Sequence, residues 1–108
     1  MLKEKAGLGV LMIKLKDSIK AIKFTGSSKS RDLIEQVFKD SDITFLGIRT
    51  NPIVKKAGLM YISHDYPMSI SEVIKGDYVL ASSENKLLAV LDEEYFNTLF
   101  EEVKNEHN

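Results

Sequence analysis

Ser63, His64 and Asp65 stand side by side in the chain, and a serine, a histidine and a carboxylate are the groups of a nucleophilic hydrolase. Such a triad works only when the three side chains converge, the histidine taking the serine proton and the carboxylate orienting the ring. Neighbours on an extended strand point to opposite faces, so the run is read as a strand end with a surface histidine. The other histidine, His107, falls in a C-terminal tail expected to fray over residues 104–108. Two histidines and no cysteine remove thiolate nucleophiles, disulfides and iron–sulfur clusters, and argue against a zinc site. Carboxylates pair at Glu93/Glu94 and Glu101/Glu102. Acid–base catalysis uses such pairs when one of them is desolvated in a cleft, whereas these flank an apolar helical stripe and should face water. No EF-hand spacing is present. No catalytic residue, metal ligand or cofactor is expected, and the chain is read as a non-enzyme.

Two other stretches have chemistry within reach. In "FTGSSKSR" a strand gives way to glycine, serines and the start of a helix. Free backbone N–H groups at a helix N-terminus can hold an anion. Ser27 and Ser28 would supply the cradle, and Lys29 and Arg31 the charge. The P-loop spacing is missing, and serines at a helix start ordinarily act as caps. Capping is the leading reading, with a nucleotide or small anion as the alternative ligand. In "IKGDYVL", Gly76 can take a positive φ and Asp77 favours turns, after which Tyr78, Val79 and Leu80 alternate as a strand should. That triplet is read as a turn that launches a strand.

The elements that would position these groups follow from periodicity. Residues 10–15 alternate imperfectly and Asp17-Ser18 breaks them. Residues 19–25 resume with Ile22 and Phe24 on one face. Two strands are expected, with a helix over residues 3–16 still open. Ser28 or Ser30 would cap a helix over residues 29–39, with Asp32 in its first turn and Leu33, Ile34, Val37 and Phe38 buried. "ITFLGIRT" and "LMYIS" read as strands on either side of turns at Asn51-Pro52 and residues 55–58. "MSISEVIKGD" is a short strand or a loop. Residues 77–92 form a hairpin around a polar loop at residues 82–85. Asp92 caps a last helix, whose face of Tyr95, Phe96, Leu99, Phe100 and Val103 is expected in the core. The fold class is α+β: a small, mostly antiparallel sheet of about five or six strands with two amphipathic helices packed on it.

With 108 residues and 44% hydrophobic content, one core fits and a second does not. Residues 1–108 are read as one domain, residues 1–17 being an N-terminal extension or extra strand. The apolar run "GLGVLMIKL" is too short to span a bilayer and has no cleavage site after it, so a cytoplasmic protein without membrane contact is expected. Net charge is −1, with lysines gathered before Gly26 and acids after Leu91. Direct nucleic-acid binding is not expected, because no strongly basic region or basic–aromatic motif occurs.

Three segments, in order, resemble a class of small bacteriophage and prophage proteins that carry a Pro-Gly-Asp-Tyr-Gly-like signature. They are Ile19-Lys20-Ala21-Ile22-Lys23-Phe24-Thr25-Gly26, then Gly76-Asp77-Tyr78-Val79-Leu80, then Tyr95-Phe96-Asn97-Thr98-Leu99-Phe100-Glu101-Glu102. Lys75 and Val79 replace the signature's proline and last glycine, and residues 1–17 have no counterpart. The resemblance implies a phage setting in a host cytoplasm. It carries over no functional residue, since most such proteins have no assigned activity. The expected function is inhibition of a host defence or nucleic-acid-processing protein by direct contact, through Glu94, Glu101 and Glu102 aimed at a basic groove. Sequestration of a nucleotide at Ser27, Ser28, Lys29 and Arg31 is the alternative. A virion assembly role and a homo-oligomer are further readings.

Overall fold

The computed structural model describes residues 15 and 17–101, together with the backbone of residues 4–5 and 10–11. The last two pairs form β1 (Glu4–Lys5) and β2 (Val10–Leu11), a short antiparallel ladder that joins neither of the larger sheets. The rest of the segment whose helix or strand character was open lies outside the described residues, as do Glu102, Val103 and His107.

Six strands follow, divided between two antiparallel sheets of three. β3 (Lys20–Lys23), β7 (Tyr78–Ala81) and β8 (Leu87–Leu91) form the first, in the order β3-β7-β8. β4 (Ile43–Thr50), β5 (Ala57–Ser63) and β6 (Ser69–Ile74) form the second, a meander. Helices α1 (Ser28–Val37) and α2 (Glu93–Leu99) follow β3 and β8. The α+β class is therefore as expected. The stretch read as strand or loop is strand β6, paired along its length with β5. β4 carries an irregularity between Phe45 and Ile48, which lets both side chains pack against the core.

One core serves both sheets. Ile22, Val79 and Ala81 come from the first, Leu59, Tyr61 and Val73 from the second, and Ile34 and Phe38 from α1. Phe24 lies among them, fully buried. Its N–H donates to Asp77 O (2.9 Å) and its carbonyl accepts from Gly76 N (2.7 Å), so the β3–β7 ladder continues past its last pair into the β6–β7 turn.

α1 follows the expected pattern with three corrections. Its cap is Ser27, one residue ahead of the expected serines: Ser27 Oγ accepts from Ser30 N at 3.1 Å. Ser30 is instead buried, its hydroxyl donating to Ser27 O and accepting from Thr25 N. The first turn holds no acidic residue, and Leu33 is 55% exposed rather than buried. Ile34 and Phe38 carry the packing, on one side of the helix as their spacing requires.

The larger correction concerns α2. Asp92 caps it as expected, Oδ1 accepting from Tyr95 N at 2.8 Å. No residue of α2 is buried, however, and Tyr95 and Leu99 are about half exposed, at 52% and 51%. The stripe assigned to the core is divided. Phe96 turns inward onto the sheet, while Tyr95 and Leu99 face water. Among the described residues the core cluster draws on α1 and both sheets and includes no residue of α2.

Candidate functional site

α2 is held by one patch of the first sheet. Lys23 and Tyr78 are cross-strand partners in β3 and β7. The Tyr78 ring lies against Phe96 with centroids 3.9 Å apart and planes within 10°. Phe100 packs on Phe96 in turn, at 5.4 Å. Beside this stack Lys23 Nζ reaches Glu93 Oε2 at 3.0 Å and stands 5.7 Å from the Tyr78 ring centroid. The hydrogen bond and charge of Glu93 hold the Lys23 ammonium above its ordinary pKa. The pair is open to solvent and screened, so stacking is the main attachment. Tyr78, the last residue of the Gly-Asp-Tyr triplet, thus has a structural role that its strand position alone did not suggest.

α2 also presents Glu94, Tyr95 and Leu99 to solvent, with Glu101 beyond its C-terminus, all exposed. Among the described residues, neither Glu94 nor Glu101 forms an ion pair. Of the three carboxylates expected to meet a partner, two stand on this surface, and Glu102 lies outside the described residues. Sequence reasoning missed Tyr95 and Leu99 as surface groups. Their helical spacing signals a shared face but not what covers it.

The Gly-Asp-Tyr turn is built as expected. Gly76 has φ +100°. Asp77 N donates to Ile74 O at 2.8 Å, and Asp77 Oδ2 accepts from Ile74 N at 2.9 Å. Burial raises the Asp77 pKa above the usual carboxylate value. The Ile74 hydrogen bond opposes the rise, nearby Asp92 adds to it and Lys56 reduces it. A carboxyl that holds its proton more tightly in the folded state makes stability fall as pH rises from the ordinary carboxylate value, about 4, through the raised folded value. Asp77→Asn keeps an oxygen for the Ile74 N–H and has no charge to desolvate. Urea titrations across that window should show a stability decline in the parent that is shallower in Asp77→Asn. The variant should be at least as stable at neutral pH. A neutral-pH loss above about 1 kcal/mol, the usual worth of one hydrogen bond, would mean that the charge itself is needed.

The anion-loop residues are drawn into local bonding. Ser27 Oγ is the cap and also meets Thr25 Oγ1 at 2.8 Å and Ser30 Oγ at 3.1 Å. Arg31 Nη2 pairs with Glu35 at 3.1 Å, one helical turn on. Ser28 and Lys29 are exposed. The four residues fall at the start of α1, Ser27 as its cap and Ser28, Lys29 and Arg31 in its first turns, and capping and pairing engage Ser27 and Arg31.

His64 is exposed, with Nε2 2.9 Å from Thr44 Oγ1. Among the described residues no hydrogen bond links it to Ser63 or Asp65, and no three His, Asp or Glu side chains converge as a metal would require. No helix of the described residues is long and apolar enough to cross a membrane.

On the outer face of the second sheet, Glu72 lies across Gly58, where a Cβ would collide with its carboxylate. Asn51 Nδ2 donates to Glu72 Oε1 at 2.6 Å. Arg49 Nε stands 3.4 Å from Oε2, within ion-pair reach but not aligned as a hydrogen bond. Asn51 also accepts, at Oδ1, from Ile53 N (2.8 Å) and Val54 N (3.0 Å), which ties the β4–β5 loop to this face.

A cleft of about 520 Å³ opens at the other end of the same sheet, where the end of α1, the start of β4, the end of β5 and the β7–β8 loop meet. Asp40, Asp42, Asp65 and Glu84 line it with Lys86, and Val37, Ile43 and Leu87 supply apolar wall. No protein family, curated protein or solved structure matches the chain at a significant level. The likeness to the phage proteins rests on its three sequence motifs.

Proposed function

We propose that this chain is a small non-enzymatic binding protein that docks on a partner protein through α2. The observation that carries the reading is the half-exposed Tyr95–Leu99 stripe on a helix with no buried residue. A helix that rests on the sheet mainly through Phe96 leaves the rest of its apolar stripe free for a partner. An aromatic and an aliphatic side chain one turn apart are the usual anchors of a helix that enters an apolar groove. Glu94 and Glu101 flank the anchors, so the groove that fits is rimmed by lysine or arginine. The phage-like motifs suggest a host protein as the partner, and a basic rim is what a nucleic-acid-processing factor offers. Rim charges act mainly on the association rate and its salt dependence, whereas the central anchors hold the complex.

The test begins with protein immobilised in host lysate and the retained host protein purified. Glu94→Lys with Glu101→Lys should slow its association about tenfold or more at low salt, with a smaller effect at high salt. Unchanged association kinetics would sink the charged surface.

A further inference from the structure

We infer that a second copy of this chain docks head to tail, the β4–β5 loop of one molecule seated in the acidic cleft of the next. The loop, residues 51–56, is a preformed probe. Asn51 N donates to Lys56 O and Lys55 N to Asn51 O, both at 2.8 Å, and Asn51 Oδ1 holds the N–H groups of Ile53 and Val54. Lys55 closes it with φ +58°. These bonds fix the loop while its tip remains uncovered: Ile53 is 86% exposed and Val54 48%. An ordered aliphatic tip loses little conformational freedom on docking. Two lysines, Lys55 and Lys56, follow it directly.

The cleft has the complementary chemistry. Its four carboxylates outnumber its one lysine, its apolar wall offers Val37, Ile43 and Leu87, and its volume suits two aliphatic side chains. Positive charge behind an apolar tip matches negative charge around an apolar recess. The tip cannot enter the cleft of its own molecule. Ile43 of the cleft begins β4, with Asp42 just before it, the loop follows its end, and the eight residues of β4 separate the two by roughly 25 Å. A tip and a recess at opposite ends of one rigid sheet form a heterologous contact, which makes open chains or closed rings rather than a two-fold dimer.

Sedimentation velocity at low salt should show mass rising with concentration beyond that of a dimer, and falling when salt is raised. A tip variant, Ile53→Ser with Val54→Ser, which keeps Lys55 and Lys56, and a cleft variant, Asp40→Lys with Asp42→Lys, should each be monomeric. All these positions are exposed, and circular dichroism should confirm that both variants fold. Mixed in equal amounts, they should form a dimer and nothing larger. The cleft variant keeps a working tip, the tip variant keeps a working cleft, and the dimer has no working end left. A monomeric parent at every concentration would overturn the inference. So would self-association that persists in both variants, a mixture that stays monomeric, or a tip that binds anionic vesicles while the protein remains monomeric.

Discussion

Tyr95→Ala combined with Leu99→Ala is expected to weaken binding of the retained host protein by at least about a hundredfold while leaving folding stability within about 0.5 kcal/mol of the parent. The magnitude follows from anchor energetics: truncating a central aromatic or aliphatic anchor costs about 2 kcal/mol or more, and each 1.4 kcal/mol is about tenfold in affinity. The stability expectation follows from exposure. Side chains already half in water gain little from folding, and alanine is the best helix former, so α2 should persist. Titration calorimetry and urea unfolding on the same preparations separate the two quantities. Lost stability with unchanged affinity would return both side chains to the core, where their spacing first placed them. Unchanged affinity with unchanged stability would move the docking surface off α2.

The second large effect lies in the core. Phe24→Ala is expected to cost about 3 kcal/mol or more, the usual range for truncating a fully buried phenylalanine. A domain of this size has about 5–15 kcal/mol in total, so the variant should unfold at a much lower urea concentration, if it folds at all. The position is sensitive because it joins three structures. Its ring contributes to the core shared by both sheets and α1, and its backbone holds the Gly76–Asp77 turn from both sides. Leu33→Ala on α1 is the matched control, since Leu33 is 55% exposed and its loss should be felt by less than about 1 kcal/mol. Equal urea midpoints for the two variants would contradict the placement of Phe24.

The parts of the fold that were legible in the sequence are those in which local chemistry decides conformation. Gly76 and Asp77 specify a turn whatever surrounds them, and Asp92 caps a helix with its own carboxylate. The hairpin from β7 to β8 announces itself by two apolar runs around Ser82, whose Oγ accepts from Glu84 N and Lys86 N. The illegible parts depend on what lies across from a residue. Four serines and threonines near α1 could each cap it, and only the burial of Ser30 against Thr25 and Ser27 leaves the cap to Ser27. Nothing in the order of the strands states that six of them divide into two sheets. The fate of Tyr95 and Leu99 likewise depends on contacts distant in the chain, since α2 rests on the first sheet through the Phe96–Tyr78 stack. Of the candidate site, Glu94 and Glu101 were read from charge alone, and their apolar neighbours were assigned to the wrong environment. The acidic cleft draws on α1, β4, β5 and the β7–β8 loop, segments too far apart in the chain for any spacing rule to connect.

The strand order of the first sheet also sets a sequence of events in time. β3 precedes α1, β4, β5 and β6 in the chain, yet its ladder is with β7, which follows them all. The meander has no such delay, since each of its strands pairs with the one before it, and closing a short loop costs less entropy than closing a long one. On a ribosome, α1 and the whole meander emerge while β3 still lacks its ladder partner and the Phe24 backbone lacks the Gly76–Asp77 turn. The earliest strand of that sheet is thus among the last to be paired, and until Tyr78 is made the nascent chain carries an open edge beside a finished sheet.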